Sequence, residues 1–356
     1  MGPNCNRGCS HCYGNFGSDK KGLPKPRIIQ RALDEILKDG ILDMNLTDGE
    51  PMRHENREVM GLFAEYSKDI PLGIITNGVF ARTEKNTLNW LNFLKKSGYE
   101  LGKDGNRMRV SFGPGYNVHW HNQGRIASGI KKVFPDIDYG KHLEFFMPFI
   151  GRVSEDELSH NINKMVSYFF DCDGNCEFEK DEKGGKAVYL FKPNNGGTSI
   201  KVESALCLPM GRAENVKEIK KKFPLRESVS DALSFRPDLN EPLYFSSSGD
   251  VAFGPSAQCV RPSRIHGNIM KNGLRAIKYR IQDDSIYQAF RLGGVKFLHS
   301  LAEGIDSKYS TVSRGKCGVC NSLFEDEEML GKIKQNIGKG VVRRYRDYIG
   351  RILDHP

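Results

Sequence analysis

Apolar residues recur at helical spacing early in the chain, where Ile28, Ile29, Ala32, Leu33, Ile36 and Leu37 share one face and Gly40 stands where such a helix ends. A short apolar run follows at residues 41–46. Val59, Leu62, Phe63 and Tyr66 predict a second helix, residues 72–76 a buried strand, and Leu88, Leu91 and Leu94 a third helix closed by Gly98. Residues 107–112 and 142–150 read as further strands, and Ser154 with Glu157 forms a capping box that opens a helix through Phe170. Strand-like and helical stretches thus alternate from residue 26 to residue 205, which predicts a parallel sheet with crossover helices.

Strands return at residues 186–191 and 198–203 around the turn-rich stretch from Pro193 to Gly197, as a last parallel strand with a β-ribbon attached. Beyond residue 215 the alternation stops. A polar helix and a proline-containing segment lead to a predicted hairpin over residues 243–253, turning at Ser248, Gly249 and Asp250. Helical stretches follow, one with a Cys-x2-Cys at Cys317 and Cys320, and the chain ends in a basic amphipathic tail with Val341, Tyr345, Tyr348 and Leu353. The pattern predicts two domains, 1–215 and 216–356.

Composition narrows the class. The 356 residues are 38% hydrophobic and 27% charged with a net charge of +9, an ordinary globular balance long enough for a sizeable core. No apolar stretch approaches a membrane span and no signal-peptide layout opens the chain, so it reads as soluble and cytoplasmic, with no membrane partner. The basic runs at residues 220–222 and 343–346 suit solvated faces, and charge alone does not call for nucleic acid. Nine cysteines, an odd and sparse set, suit a reducing compartment better than a disulfide framework, so metal or redox chemistry must explain their spacing.

Cys5, Cys9 and Cys12 form Cys-x3-Cys-x2-Cys in a loop-favouring stretch. Three thiolates on one short loop hold three corners of a tetrahedral or cubane site and leave the fourth open. Spacing alone admits zinc, with His11 or another cysteine as fourth ligand. The run from Cys5 to Tyr13 resembles the cluster loop of the radical S-adenosylmethionine (radical SAM) superfamily, including its aromatic residue after the last cysteine. Gly49-Glu50-Pro51 resembles the end of that family's Gly-Gly-Glu-Pro motif, with Asp48 in place of the first glycine. Asn77 after the next strand, Ser111 and Ile150 stand where relatives touch SAM.

This resemblance implies a [4Fe-4S] cluster on Cys5, Cys9 and Cys12, SAM bound by Tyr13, Gly49, Glu50, Asn77, Ser111 and Ile150, and reductive cleavage of SAM to a 5′-deoxyadenosyl radical that abstracts hydrogen from substrate. It also implies a partial (β/α)6 barrel. Only four residues precede Cys5, so a truncated first strand and poorer cluster retention are expected.

The stretch Cys207 to Ala213, the hairpin around Gly249 to Phe253, and Gly267-Asn268-Ile269 resemble the SPASM or twitch extensions of this family. The resemblance implies a small α+β domain with one auxiliary [4Fe-4S] cluster on Cys259, Cys317 and Cys320, with Cys207 as a fourth ligand; structural zinc is the alternative. Cys172 and Cys176 read as a polar turn before the ribbon, the loop histidines His119 and His121 as solvated, and Arg212 as a partner of either a ligand carboxylate or a structural acid. By analogy the expected activity is peptide or protein modification, with flavodoxin or ferredoxin as electron donor. A dehydrogenase or epimerase of a carbohydrate or antibiotic precursor is the enzymatic alternative, and a non-catalytic iron-sulfur or zinc protein the alternative from another class.

Overall fold

Pro26 opens the first helix, α1 (Pro26–Lys38), where a fixed φ and a missing N–H cost nothing. Most of its predicted apolar face is buried: Ile29, Ala32, Leu33 and Ile36 point into the protein, Ile28 is half-buried, and Leu37 is exposed. The computed structural model describes residues 5, 24–41, 43–47, 49–103, 105–111, 120–149, 176–183, 186–193, 200–206, 243–254, 262–311 and 315–338. The chain divides into two compact units, Met1–Ile219 and Lys220–Pro356.

In the first unit α1 is followed by β1 (Met44–Leu46), α2 (Arg57–Tyr66), β2 (Leu72–Thr76), α3 (Glu84–Lys96), β3 (Arg107–Ser111), α4 (Trp120–Val133), the single turn α5 (Tyr139–His142) and β4 (Leu143–Phe149). Three more strands, β5 (Cys176–Lys183), β6 (Lys186–Pro193) and β7 (Ile200–Leu206), complete a seven-stranded sheet of order β1-β2-β3-β4-β7-β6-β5. The β1–β2, β2–β3, β3–β4 and β4–β7 pairings are parallel, and β7–β6 and β6–β5 are antiparallel. The sheet is therefore α/β in its parallel part, and β7 is the last parallel strand.

Both faces of a parallel sheet need cover, which explains the near-continuous apolar run of β2. Leu72, Ile74, Val110 and Phe145 are fully buried together with Leu33, Met60, Leu91 and Ile130 of the surrounding helices. Polar side chains tie down the N-terminal ends of the strands. The Asn106 amide, 2% exposed, accepts from the Leu72 N–H at 2.7 Å and donates to the Ser67 and Glu100 carbonyls at 3.3 and 3.2 Å. The Tyr99 hydroxyl donates to the Arg107 carbonyl at 2.8 Å, and complete burial pushes its pKa well above the ordinary tyrosine value. Asn106→Leu orphans these groups, and a loss of about 3 kcal/mol is expected, read as a fall of about 6–12 °C in calorimetric Tm.

Several expectations change, and His121, read as a loop histidine, lies in the first turn of α4. Cys176 does not stand in a turn: it opens β5 opposite Pro193, in an eight-residue antiparallel ladder that runs to the Lys183–Lys186 pair. The sequence CEFEKDEK lacks an apolar alternation, so backbone pairing with β6 and not side-chain patterning makes it a strand. The last parallel strand runs over Ile200–Leu206, later than residues 198–203. The expected capping-box helix at 154–170 lies outside the described residues.

The second unit holds an antiparallel sheet of β8 (Leu243–Phe245), β9 (Asp250–Phe253) and β10 (Ile265–Asn268), in the order β10-β9-β8. The hairpin turns where expected, with the Gly249 N–H bonded to the Ser246 carbonyl at 3.0 Å. Asn268 pins it, donating to the Ser248 carbonyl at 3.0 Å and to Asp250 at 2.8 Å. The helices include α6 (Ile269–Asn272), α7 (Leu274–Asp283), α8 (Ser285–Ile305), which breaks at Gly294, and α9 (Gly315–Glu325). Phe253 centres the core of this unit, with ring centroids of Tyr287, Phe290 and Phe324 at 5.0, 5.9 and 5.8 Å. Among the described residues, no helix is long and apolar enough to cross a membrane.

Candidate functional site

Because β1 and β2 run parallel in register, with Met44 beside Leu72 and Leu46 beside Ile74, the loops that follow them leave from the same end of the sheet. Ligand groups gather at this C-terminal end in barrels and open α/β sheets alike. Gly49, at φ 62°, turns the first loop in the left-handed region that glycine enters without strain. Glu50 follows it, 1% exposed.

The Glu50 carboxylate joins the two loops. Its Oε1 accepts from the Met52 N–H at 2.9 Å and the Thr76 hydroxyl at 2.6 Å, and its Oε2 accepts from the Asn77 N–H at 2.6 Å. An ionised carboxylate is a pure acceptor, which suits three converging donors. Asn56 closes the loop from behind, donating to the Glu50 and Pro51 carbonyls at 2.9 and 3.3 Å. Asn77 Oδ1 accepts from the Val79 N–H at 3.0 Å, a local turn that fixes the amide and leaves its Nδ2 against Cys5 Sγ at 3.7 Å. Cys5 is 8% exposed.

Arg53 adds positive charge to this cluster. The hydrogen bonds it donates to the Glu55 carboxylate raise its pKa above the ordinary value, and the nearby Cys5 and Glu50 add to the effect. The same bond holds the Glu55 carboxyl down at about 2. The pair therefore stays ionised throughout the neutral range.

Of the residues singled out in the sequence, Cys5, Glu50 and Asn77 are brought together, with Gly49 shaping the turn. Ser111 ends β3, parallel to β2 and hence at the same end of the sheet, with a half-buried side chain. Cys9, Cys12, Tyr13, Ile150, Cys207 and Cys259 lie outside the described residues, as do Cys172, His119 and Arg212. Cys317 and Cys320 both fall in α9. Cys320 is buried and receives a hydrogen bond from Arg264, whose guanidinium lies 3.7 Å from the Phe324 ring centroid and is itself 2% exposed. Among the described residues no cluster of His, Cys, Asp or Glu forms a metal site.

Sequence reasoning noted Thr76 beside Asn77 but counted neither Thr76 nor Arg53 among the site residues. Thr76 reads as an ordinary last residue of a strand, and its hydroxyl acquires meaning only when pairing brings Glu50 to it. Arg53 carried no motif at all.

The donor set fits an iron-sulfur cluster of the open-corner kind: a buried thiol at the C-terminal end of a parallel sheet begins a Cys-x3-Cys-x2-Cys run, beside a fixed carboxylate and amide. Comparison with known proteins agrees for this part of the chain. Residues 1–107 match the Radical SAM superfamily, a span that holds Cys5, Cys9, Cys12, Gly49, Glu50 and Asn77. No curated protein matches the chain. Through its amino-terminal third, then, the chain is similar to the radical SAM superfamily.

Proposed function

We propose that this protein is a radical SAM enzyme that modifies a peptide or protein substrate. The observation that carries the reading is the convergence of Cys5, Glu50 and Asn77 at the C-terminal ends of β1 and β2, inside the span that matches the family. Cys5, Cys9 and Cys12 would hold a [4Fe-4S] cluster, which when bound supplies the electron that splits SAM into methionine and a 5′-deoxyadenosyl radical able to take hydrogen from substrate. Glu50 keeps both loops in one arrangement, and its buried hydrogen bonds prevent it from drifting into solvent. Asn77 presents an amide donor to Cys5, and Gly49 offers a turn without a side chain on which the ligand amino group can rest. The apolar packing beneath, from Leu46, Ile74 and Val110, keeps water out of the sheet end.

Peptide modification rests on the likeness of the second unit to the SPASM and twitch extensions. In this reading Cys259, Cys317 and Cys320 hold an auxiliary cluster, and the buried Arg264 offsets negative charge at Cys320. The flavodoxin- or ferredoxin-type electron donor belongs to the same proposal.

Anaerobic reconstitution with iron and sulfide, followed by reduction with SAM present, tests the core. Formation of 5′-deoxyadenosine that is lost in Cys9→Ala is the expected result; a colourless, zinc-loaded protein without turnover would refute it. Cys317→Ala is expected to continue cleaving SAM while losing product, measured as 5′-deoxyadenosine by chromatography and as modified peptide by mass spectrometry.

A further inference from the structure

The two loops that carry Glu50 and Asn77 continue into the walls of a cleft of about 490 Å³. Arg53, His54 and Arg57 line it from the first loop and the start of α2, Arg82 from the second loop, and Asn86 and Asn89 from α3. Its volume lies in the range of small-molecule sites. Three arginines and one glutamate, Glu55, are in the lining, and Glu55 is already bound to Arg53. Among the described residues neither Arg57 nor Arg82 has a carboxylate partner. Two positive charges are therefore left over.

We propose that this cleft binds the phosphate group of a small phosphomonoester. A phosphomonoester carries about 1.5–2 negative charges at neutral pH, which balances the surplus, whereas a single carboxylate leaves half of it uncompensated. The geometry suits the same ligand. Arg57 lies over the rings of Phe93 at 4.3 Å and Trp90 at 5.6 Å, so its planar fork is held in place before any ligand arrives. It is also the first residue of α2, whose positive dipole end thus lies at the cleft. Asn86 and Asn89, three residues apart on α3, add amide donors from one helical face. Met52, Phe80 and Trp90 are buried beneath these groups and give the organic part of the ligand an apolar floor.

The test uses the full chain at fixed ionic strength, with phenyl phosphate as probe in isothermal titration calorimetry. One saturable site is expected, at least about tenfold tighter than for benzoate, and Arg82→Gln should weaken it about tenfold. Arg82 is exposed, so this variant folds; Arg57→Gln is expected to act in the same direction, and Arg31→Gln, on α1 and outside the cleft lining, to leave affinity unchanged. Absence of saturable binding, equal affinity for benzoate, indifference to Arg82→Gln, or displacement of the probe by SAM would each overturn the proposal. The readout requires no turnover: a protein that binds phenyl phosphate but never cleaves SAM refutes the proposed function alone.

Discussion

Cys5→Ala is expected to leave a folded protein that retains little iron after reconstitution and forms no 5′-deoxyadenosine. The thiol is buried, and alanine removes a single sulfur that lies 3.7 Å from the Asn77 amide. The metal-free fold should therefore shift by no more than about 1 kcal/mol. Metal retention should collapse, because two thiolates cannot hold three corners of a cubane. Iron analysis, the visible absorption of the reconstituted protein and thermal melting separate the two effects. A variant with full iron and undiminished SAM cleavage would remove Cys5 from the ligand set.

Glu50→Leu is expected to lower both activity and stability, and the stability effect is the larger test of the geometry. Leucine leaves the Met52 N–H, the Thr76 hydroxyl and the Asn77 N–H facing an apolar side chain. A buried donor without a partner costs about 1–3 kcal/mol, so a total on the order of 3–5 kcal/mol is expected, or roughly 6–20 °C in the melting of this unit. Glu50→Gln should fall between, because glutamine keeps one oxygen but turns a donor toward a donor at the other position. Thr76→Val, which removes a single contact, should cost least. A flat series across the three variants in calorimetry would mean that the carboxylate does not join the loops. SAM cleavage should follow the same order, since the turn at Gly49 and the amide of Asn77 lose their common anchor.

Much of this arrangement is legible in the amino-acid sequence. The helical face of Ile29, Leu33 and Ile36, the buried strand at residues 72–76 and the hairpin turning at Gly249 all follow from periodicity and turn chemistry, because each is a local property of a few residues. Glu50 was legible as a ligand-end acid from its glycine and proline neighbours. Its partners were not, because Thr76 and Asn77 lie 26 and 27 positions away and only parallel pairing brings them to it. The meeting of Cys5 with Asn77 is longer still, at a separation of 72. The cationic cleft was hidden for the same reason: Arg53, Arg57 and Arg82 are unremarkable singly, and only α2 and α3 standing side by side make them one surface. β5 escaped notice because its side chains follow no alternating pattern.

That last strand also sets the character of one end of the described sheet. Within the described sheet β5 is terminal, and six of its eight residues, Glu177, Glu179, Lys180, Asp181, Glu182 and Lys183, carry charge. An outermost strand of this composition is a poor template for the backbone of another chain, since any incoming strand must be brought against a dense row of mixed charges. Within the described sheet, the ribbon thus replaces a parallel terminal strand with one whose composition discourages fibrillar stacking.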